Sequence, residues 1–326
     1  MEKELCKQLL YKMALIREFE NAVSEYKDTK AIYGSTHCYN GEEAVAVGVC
    51  ASLNKDDYLI SNHRPHGHAI AKGMDPKIIM AELFGKQTGS NMGKGGSMHI
   101  HDPKVGLIAS SGIVGSGIPI ACGAAFSAKY KNEDKIACVF FGDGSANEGI
   151  LHECFNLASV WNLPVLFVLE DNNLAITTNT RVTSSCNDYV SLASSYGIEG
   201  CHVDGQYVAT VYTTSLMAVN TIRSSGKPFI LQADTIRFSE HAEGAYYRRM
   251  IEKKYRNYET LEIQKKERCP IKLFVNYLVD EHILESDQIE ELFEDVKREV
   301  DSCIKYASES PFPDEKIAMM HVFSEV

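Results

Sequence analysis

Apolar residues near the start of the chain recur at helical spacing. Leu5, Leu9, Met13, Ile16 and Val23 fall on one stripe, so an amphipathic helix is expected over 1–30. GEEAVAVGVCASL reads as a compact apolar helix over 42–53, and YLIS (58–61) as a short strand that ends at HRPHGH. A helix over 76–85 precedes a glycine-rich loop, GKQTGSNMGKGGSMHIHD. SSGIVGSGIP then opens a helix of small residues, IACGAAFSAKY. The unbroken apolar runs 136–141 and 164–169 have the character of strands buried on both faces, with a helix at about 147–161 between them. The alternation continues through helix 189–196, strand 201–203, helix 208–224 and strand 228–233. This rhythm predicts an α/β fold, a mostly parallel sheet with helices on both faces.

From about residue 240 the pattern changes. HAEGAYYRR is polar and loop-like, and the tail beyond it is helical. Its clearest helix is 287–305, where Asp287 and Glu290 form a capping box and Ile289, Leu292, Phe293, Val296 and Val300 one stripe. Three parts are expected: a helical segment 1–30, an α/β domain 31–260 and a helical tail 261–326.

Composition narrows the classes. The 326 residues are 44% hydrophobic and carry a formal net charge of -11, without the basic face of a nucleic-acid binder. No apolar run approaches the roughly 18 residues of a membrane span. The N-terminus is charged throughout and has no signal-peptide core. The ten cysteines include no CxxC pair, and Cys50, Cys122 and Cys138 sit in apolar runs. Reduced thiols in a cytoplasmic protein, with no structural zinc site, are expected.

The candidate chemistry lies where the apolar runs stop. IACVFFGDGSANEG (136–149) breaks at Gly-Asp-Gly, and EDNN follows one βαβ unit later. Ligands of a parallel sheet bind beyond the carboxyl ends of its strands. Asp143 and Asn172 each fall just past such an end, and one helix joins them, so both should face one crevice. Their oxygens suit Mg2+ or Ca2+ rather than zinc. Gly142 and Gly144 let the backbone approach a ligand, and the helix beginning near Asn147 aims its amides at the same place. Together these features describe a site for a metal-bridged pyrophosphate. Taken alone, GDG reads as a tight turn, EDNN as a loop, and His63, His66 and His68 as a surface cluster. Neither a Walker A sequence nor a GxGxxG fingerprint occurs.

GDGSANEG followed by LPVLFVLEDNN resembles the thiamine-diphosphate motif. NGEEAVAVGVC, LISNHRPHGHAIAKG, GKGGSMHI, SGIVGSGIPIACGAA and FSEHAEGAYYRR resemble, in that order, segments of the alpha subunit of 2-oxo acid dehydrogenase decarboxylating components, of the acetoin or pyruvate dehydrogenase type. The resemblance runs from about residue 5 to 260. It implies the thiamine-diphosphate-binding fold (a diphosphate-type domain), with thiamine diphosphate and Mg2+ as cofactors. Asp143, Asn172 and the carbonyl of Leu174 then hold the metal. Leucine replaces the usual tyrosine there, which a main-chain ligand tolerates. Gly144 and Ser145 lend amides to the diphosphate, Arg64 neutralises it, and His63 stands where many relatives have tyrosine. Gly112 and Val114 meet the aminopyrimidine through their backbone. His241, beside the diphosphate and reacting centre, and His37, lining the substrate pocket, are the catalytic candidates. Ala242 replaces a serine that kinases modify, so phosphorylation there is not expected.

The same resemblance implies partners. A glutamate acting on the aminopyrimidine comes from a separate beta subunit, in a heterotetramer of two alpha and two beta chains. The small-residue helix (Ala121, Gly123, Ala124, Ala125) fits a subunit contact or internal packing equally. The implied activity cleaves a small oxo substrate, a 2-oxo acid or acetoin, and passes the acyl unit to lipoamide on a partner acyltransferase. The alternative is a biosynthetic carboligase that joins the unit to an aldehyde or ketone. A catalytically silent paralogue would have lost Asp143 or Asn172, and a Mg2+ phosphatase leaves SGIVG and HRPHG unexplained. EDNNLAITT and STHCYNGEE depart from the family's usual patterns and leave the substrate open.

Overall fold

The computed structural model describes residues 1–244 and 255–320. The expected loop HAEGAYYRR lies outside the described residues from Ala245 onward, as does the end of the tail, 321–326. Helix α1 (Lys3–Asp28) follows the apolar stripe: Leu9, Met13, Ile16 and Val23 are buried, and Leu5 is partly so. Helix α2 (Glu43–Ser52) is buried almost throughout. Strand β1 (Tyr58–Ser61), helices α3 (Pro65–Lys72) and α4 (Pro76–Leu83), strand β2 (Leu107–Ser110) and helix α5 (Gly117–Tyr130) follow. The central unit is β3 (Ala137–Gly142), α6 (Gly149–Trp161) and β4 (Val165–Asp171). A short antiparallel pair, β5 (Leu174–Ala175) and β6 (Thr178–Asn179), precedes α7 (Tyr189–Ser194), β7 (Glu199–Asp204), α8 (Val208–Ser225) and β8 (Phe229–Asp234). Helices α9 (Tyr258–Glu267), α10 (Pro270–Asp280) and α11 (Ser286–Glu309) complete the described helices. None of the described helices is long and apolar enough to cross a membrane.

Six strands form one parallel sheet in the order β2-β1-β3-β4-β8-β7. The alternating side chains of the buried strands feed two cores. Cys138, Phe140, Leu166 and Val168 pack with α1, α2 and α8 on one face. Ala137, Val139, Phe141, Val165, Phe167 and Leu169 pack with α5, α6 and α7 on the other. An unbroken apolar run is what a strand covered on both faces requires. Helices α2 and α8 approach closely because Gly48 has no side chain; a Cβ there would meet the Val211 side chain at 2.7 Å.

Several elements differ from expectation. HRPHG does not end in a loop but starts α3, with Pro65 in its first turn, where a missing N–H costs nothing. His66 and His68 are fully buried, so they are no surface cluster. Edge strand β2 is short and buries only Leu107 completely, too weak a pattern to read. Asn147 lies in a 3-10 turn, Ser145–Asn147, and α6 starts at Gly149. The capping box of α11 uses Glu285 and Gln288, not Asp287 and Glu290, because the helix starts at Ser286 and Asp287 falls inside its first turn. Phe293 is 37% exposed, one step round from the buried Ile289, Val296 and Val300.

Candidate active site

The strand order reverses direction between β1 and β3. A crevice at such a switch point, beyond the carboxyl ends, is where a parallel sheet binds ligands. His63, Gly112, Val114 and Ser145 line a cleft there. They arrive from the ends of β1, β2 and β3. Ile113 and Val114 turn their side chains to solvent, 74% and 56% exposed, which leaves the SGIVG backbone to form the wall.

Asp143 follows β3 and Asn172 follows β4, at neighbouring strand ends held in register by Gly142 opposite Glu170. Asp143 is buried, with Oδ1 accepting the Gly144 N–H at 3.0 Å and Oδ2 the Thr180 hydroxyl at 2.7 Å. Burial first, with Asp171 nearby, pushes its carboxyl up to about 6, against the opposing pull of Thr180. Asn172 donates its amide to Glu42 Oε1 at 3.0 Å and accepts the Leu174 N–H at 3.1 Å. Burial first, and then Glu170, pushes the Glu42 carboxyl up as well. Glu170 accepts from Asn62 at 2.9 Å and from the Tyr39 hydroxyl, and pairs with His68 at 3.1 Å. Asn62 in turn accepts the Arg64 N–H at 2.8 Å, so one carboxylate ties the EDNN loop to the HRPHG loop.

Two arginines lie near Glu42. Arg64 is 3% exposed and donates to the Cys38 carbonyl at 2.6 Å and the His241 carbonyl at 2.8 Å. Arg237 is equally buried; it donates to the Ile176 carbonyl at 3.0 Å, while its Nε has no hydrogen-bond partner among the described residues. Between them three imidazoles pack edge to face or tilted, His37 5.0 Å from both His63 and His241 and those two 5.3 Å apart. Burial first, then Arg64, holds His63 well below the usual imidazole range and His37 and His241 down to about 3 and about 2. All three are therefore neutral near pH 7. His37 Nδ1 and His63 Nε2 are buried without a hydrogen-bond partner among the described residues.

Among the expected residues, the structure brings Arg64, His37, His63 and His241 together, and groups His63 with Gly112, Val114 and Ser145. Asp143, Gly144, Asn172 and Leu174 stand at the adjoining strand ends. The sequence reading missed Arg237, Glu42 and Thr180. Arg237 stands four residues before His241, just outside the FSEHAEG segment, and Glu42 lies inside NGEEAVAVGVC without a role assigned. Buried charges next to recognised motifs were the available signal.

Two buried arginines, a glycine-flanked carboxylate and neutral imidazoles thus gather beyond the strand ends of a parallel sheet, where such folds bind their ligands. A family described as dehydrogenase E1 component matches residues 11–316. The chain is 40% identical, over 96% of its length and 91% of the relative's, to the alpha subunit of acetoin:2,6-dichlorophenolindophenol oxidoreductase of Bacillus subtilis. The protein of the same name from Cupriavidus necator is 35% identical over 99% of this chain and 95% of its own. Pyruvate dehydrogenase E1 component subunit alpha of Rickettsia felis is 34% identical, with 93% and 91% covered. The chain belongs to the dehydrogenase E1 component family, whose members are thiamine-diphosphate-dependent oxidoreductase components.

Proposed function

We propose that this chain is the alpha subunit of an enzyme that cleaves acetoin or a 2-oxo acid with thiamine diphosphate and Mg2+, and passes the acyl unit to lipoamide on an acyltransferase. The observation that carries the reading is that Asp143 and Asn172 stand at adjoining strand ends, with Arg64 and Arg237 close enough to act on Glu42, the partner of Asn172. The donor set fits the metal. A carboxyl pushed up to about 6 by burial is one that a hard cation would favour, and the amide and carbonyl oxygens of Asn172 and Leu174 are hard donors too. Arg64 and Arg237 would neutralise the diphosphate; Gly144 and Ser145 would donate amides to it. Gly112 and Val114 would present backbone groups to the aminopyrimidine.

When bound, the cofactor supplies the electron sink for carbon–carbon cleavage. The chain's own residues hold and move protons. His37 and His63 present neutral nitrogens at Nδ1 and Nε2 that have no hydrogen-bond partner among the described residues, and these would hold a substrate oxygen. His241, kept neutral between the two arginines, shares that space.

Residues 31–260 would form the cofactor domain, flanked by the helical segments 1–30 and 261–326. The relatives are named as alpha subunits, which supports a beta partner and a heterotetramer of two chains of each kind. The beta chain would contribute the glutamate for the aminopyrimidine. We place the assembly in the cytoplasm, in keeping with ten free thiols.

Co-expression with the neighbouring beta gene, followed by assays with acetoin, pyruvate and branched oxo acids, tests the reading. Substrate-dependent reduction of 2,6-dichlorophenolindophenol or lipoamide is expected. Product formed only with an added aldehyde acceptor would make the enzyme a carboligase, and no cofactor binding would refute the reading.

A further inference from the structure

The glycine-rich loop after α4 remains without a role, although GKGGS superficially suggests a phosphate cradle. Its amides point elsewhere. Glu82, on the last turn of α4, is 1% exposed and accepts four of them. Its Oε2 takes the N–H groups of Asn91 at 2.8 Å and Gly93 at 3.0 Å; its Oε1 takes Gly95 at 2.7 Å and Gly96 at 3.0 Å. The nest that such loops offer to a phosphate is filled by the protein's own carboxylate. The backbone needs its glycines for this: Gly93 and Gly96 have φ of +76° and +63°, and a Cβ at Gly93 would meet the Gly85 backbone at 2.5 Å.

The pinned loop delivers two residues to the neighbourhood of the cleft. Ser97 shares a hydrogen bond of 3.0 Å with His66, whose other nitrogen pairs with Glu20 at 2.9 Å. Met98 comes next. Its carbonyl and that of Ile100 accept the Ser110 hydroxyl at 3.0 and 2.7 Å, which locks the loop to the end of β2. Its thioether lies on the backbone of Gly112, where a Cβ would meet Sδ at 3.0 Å. Outside, the tail closes over the loop: Gln87 N–H donates to the Pro311 carbonyl at 3.0 Å and Lys94 to the Met320 carbonyl at 3.1 Å.

We propose that Glu82 is a positioning residue for the cofactor cleft: its carboxylate sets the loop that presses Met98 against Gly112, and so shapes the wall for the aminopyrimidine without touching the diphosphate side. The inference rests on the proposed thiamine-diphosphate site.

The test uses the chain complexed with its beta partner and two probes with Mg2+, thiamine diphosphate and inorganic pyrophosphate. Glu82→Gln places an amide donor against amide donors. It should weaken thiamine diphosphate by roughly tenfold or more, the effect of one misplaced hydrogen bond to the aminopyrimidine, and leave pyrophosphate within about twofold. Met98→Ala, at the far end of the same chain of contacts, should show the same split to a smaller degree and decides the matter if Glu82→Gln does not fold. Equal weakening of both probes, or no change in either, overturns the positioning role. A wild-type complex that binds pyrophosphate but not thiamine diphosphate overturns the functional reading and this inference with it.

Discussion

Arg237→Met should separate stability from binding. Arg237 is 3% exposed, and its guanidinium is pushed down from 12.5 to about 10 by burial first and by Arg64 second. That difference corresponds to about 3 kcal/mol of unfavourable surroundings for the charged form. Methionine removes this penalty and keeps most of the apolar volume. The losses are a charged hydrogen bond to the Ile176 carbonyl at 3.0 Å and longer ones to the Tyr255 hydroxyl at 3.4 Å and His241 Nδ1 at 3.5 Å. These contribute roughly 2–4 kcal/mol together. Nε has no hydrogen-bond partner among the described residues to lose. The two sides nearly cancel, so the unliganded complex should melt within about 4 °C of wild type. Binding has no such compensation. Truncating one member of a buried ion pair costs about 2–4 kcal/mol, or roughly 30- to 1,000-fold in affinity for Mg2+-pyrophosphate. Differential scanning fluorimetry and titration calorimetry measure the two quantities. A melting temperature lowered by about 10 °C or more, with unchanged pyrophosphate affinity, would refute the reasoning and make Arg237 a structural residue.

Three further outcomes follow from the site. Asp143→Ala should abolish Mg2+-dependent cofactor binding by calorimetry; undiminished affinity would remove the metal assignment. His37, neutral when folded down to about pH 3, titrates near 6.5 when unfolded. The unfolded state then binds more protons below 6.5, so stability present above that pH is lost as pH falls, by about 2 kcal/mol at pH 5. His37→Gln should flatten the acid limb of melting temperature against pH, and an unchanged limb would show that His37 is protonated in the fold. The isolated alpha chain should lack turnover and regain it with the beta partner; full activity alone would contradict a site shared between chains.

What was legible in the sequence depended on how far apart the interacting residues lie. The strands β3 and β4 announce themselves because burial on both faces leaves no polar position from Ala137 to Phe141 or from Val165 to Leu169, and their ends place Asp143 and Asn172 without any tertiary knowledge. Helix α3 was hidden for the opposite reason. Its HGH segment looks polar, yet His66 is paired with Glu20 and His68 with Glu170, 46 and 102 residues away. Polarity patterns assume that polar side chains seek water, and they fail where the partner is another buried side chain. Glu82 eluded the reading on the same ground: an acid on a helix is ordinary until the loop folds back and lays four amides on it. The α11 cap was a choice between overlapping pairs two residues apart, which spacing alone does not resolve.

The electrostatics also explain why neither half of the cofactor site suffices alone. Asp143 and Glu42 are carboxyls pushed up mainly by burial, and Arg237 is a guanidinium pushed down mainly by burial, so charges of both signs are under-solvated around one crevice. Arg64 and Arg237 attract the Glu42 carboxyl but do not outweigh its burial, and the hydrogen bonds run to neutral groups: Asp143 to Thr180 and Gly144, Glu42 to Asn172, Arg237 to the Ile176 carbonyl. An anion by itself would relieve the arginines and further disfavour the carboxylates. A cation by itself would do the reverse. A ligand that carries a diphosphate and its metal together would relieve both, which is the physical reason for proposing that this arrangement of residues takes a metal-bridged diphosphate in preference to phosphate or a divalent ion alone.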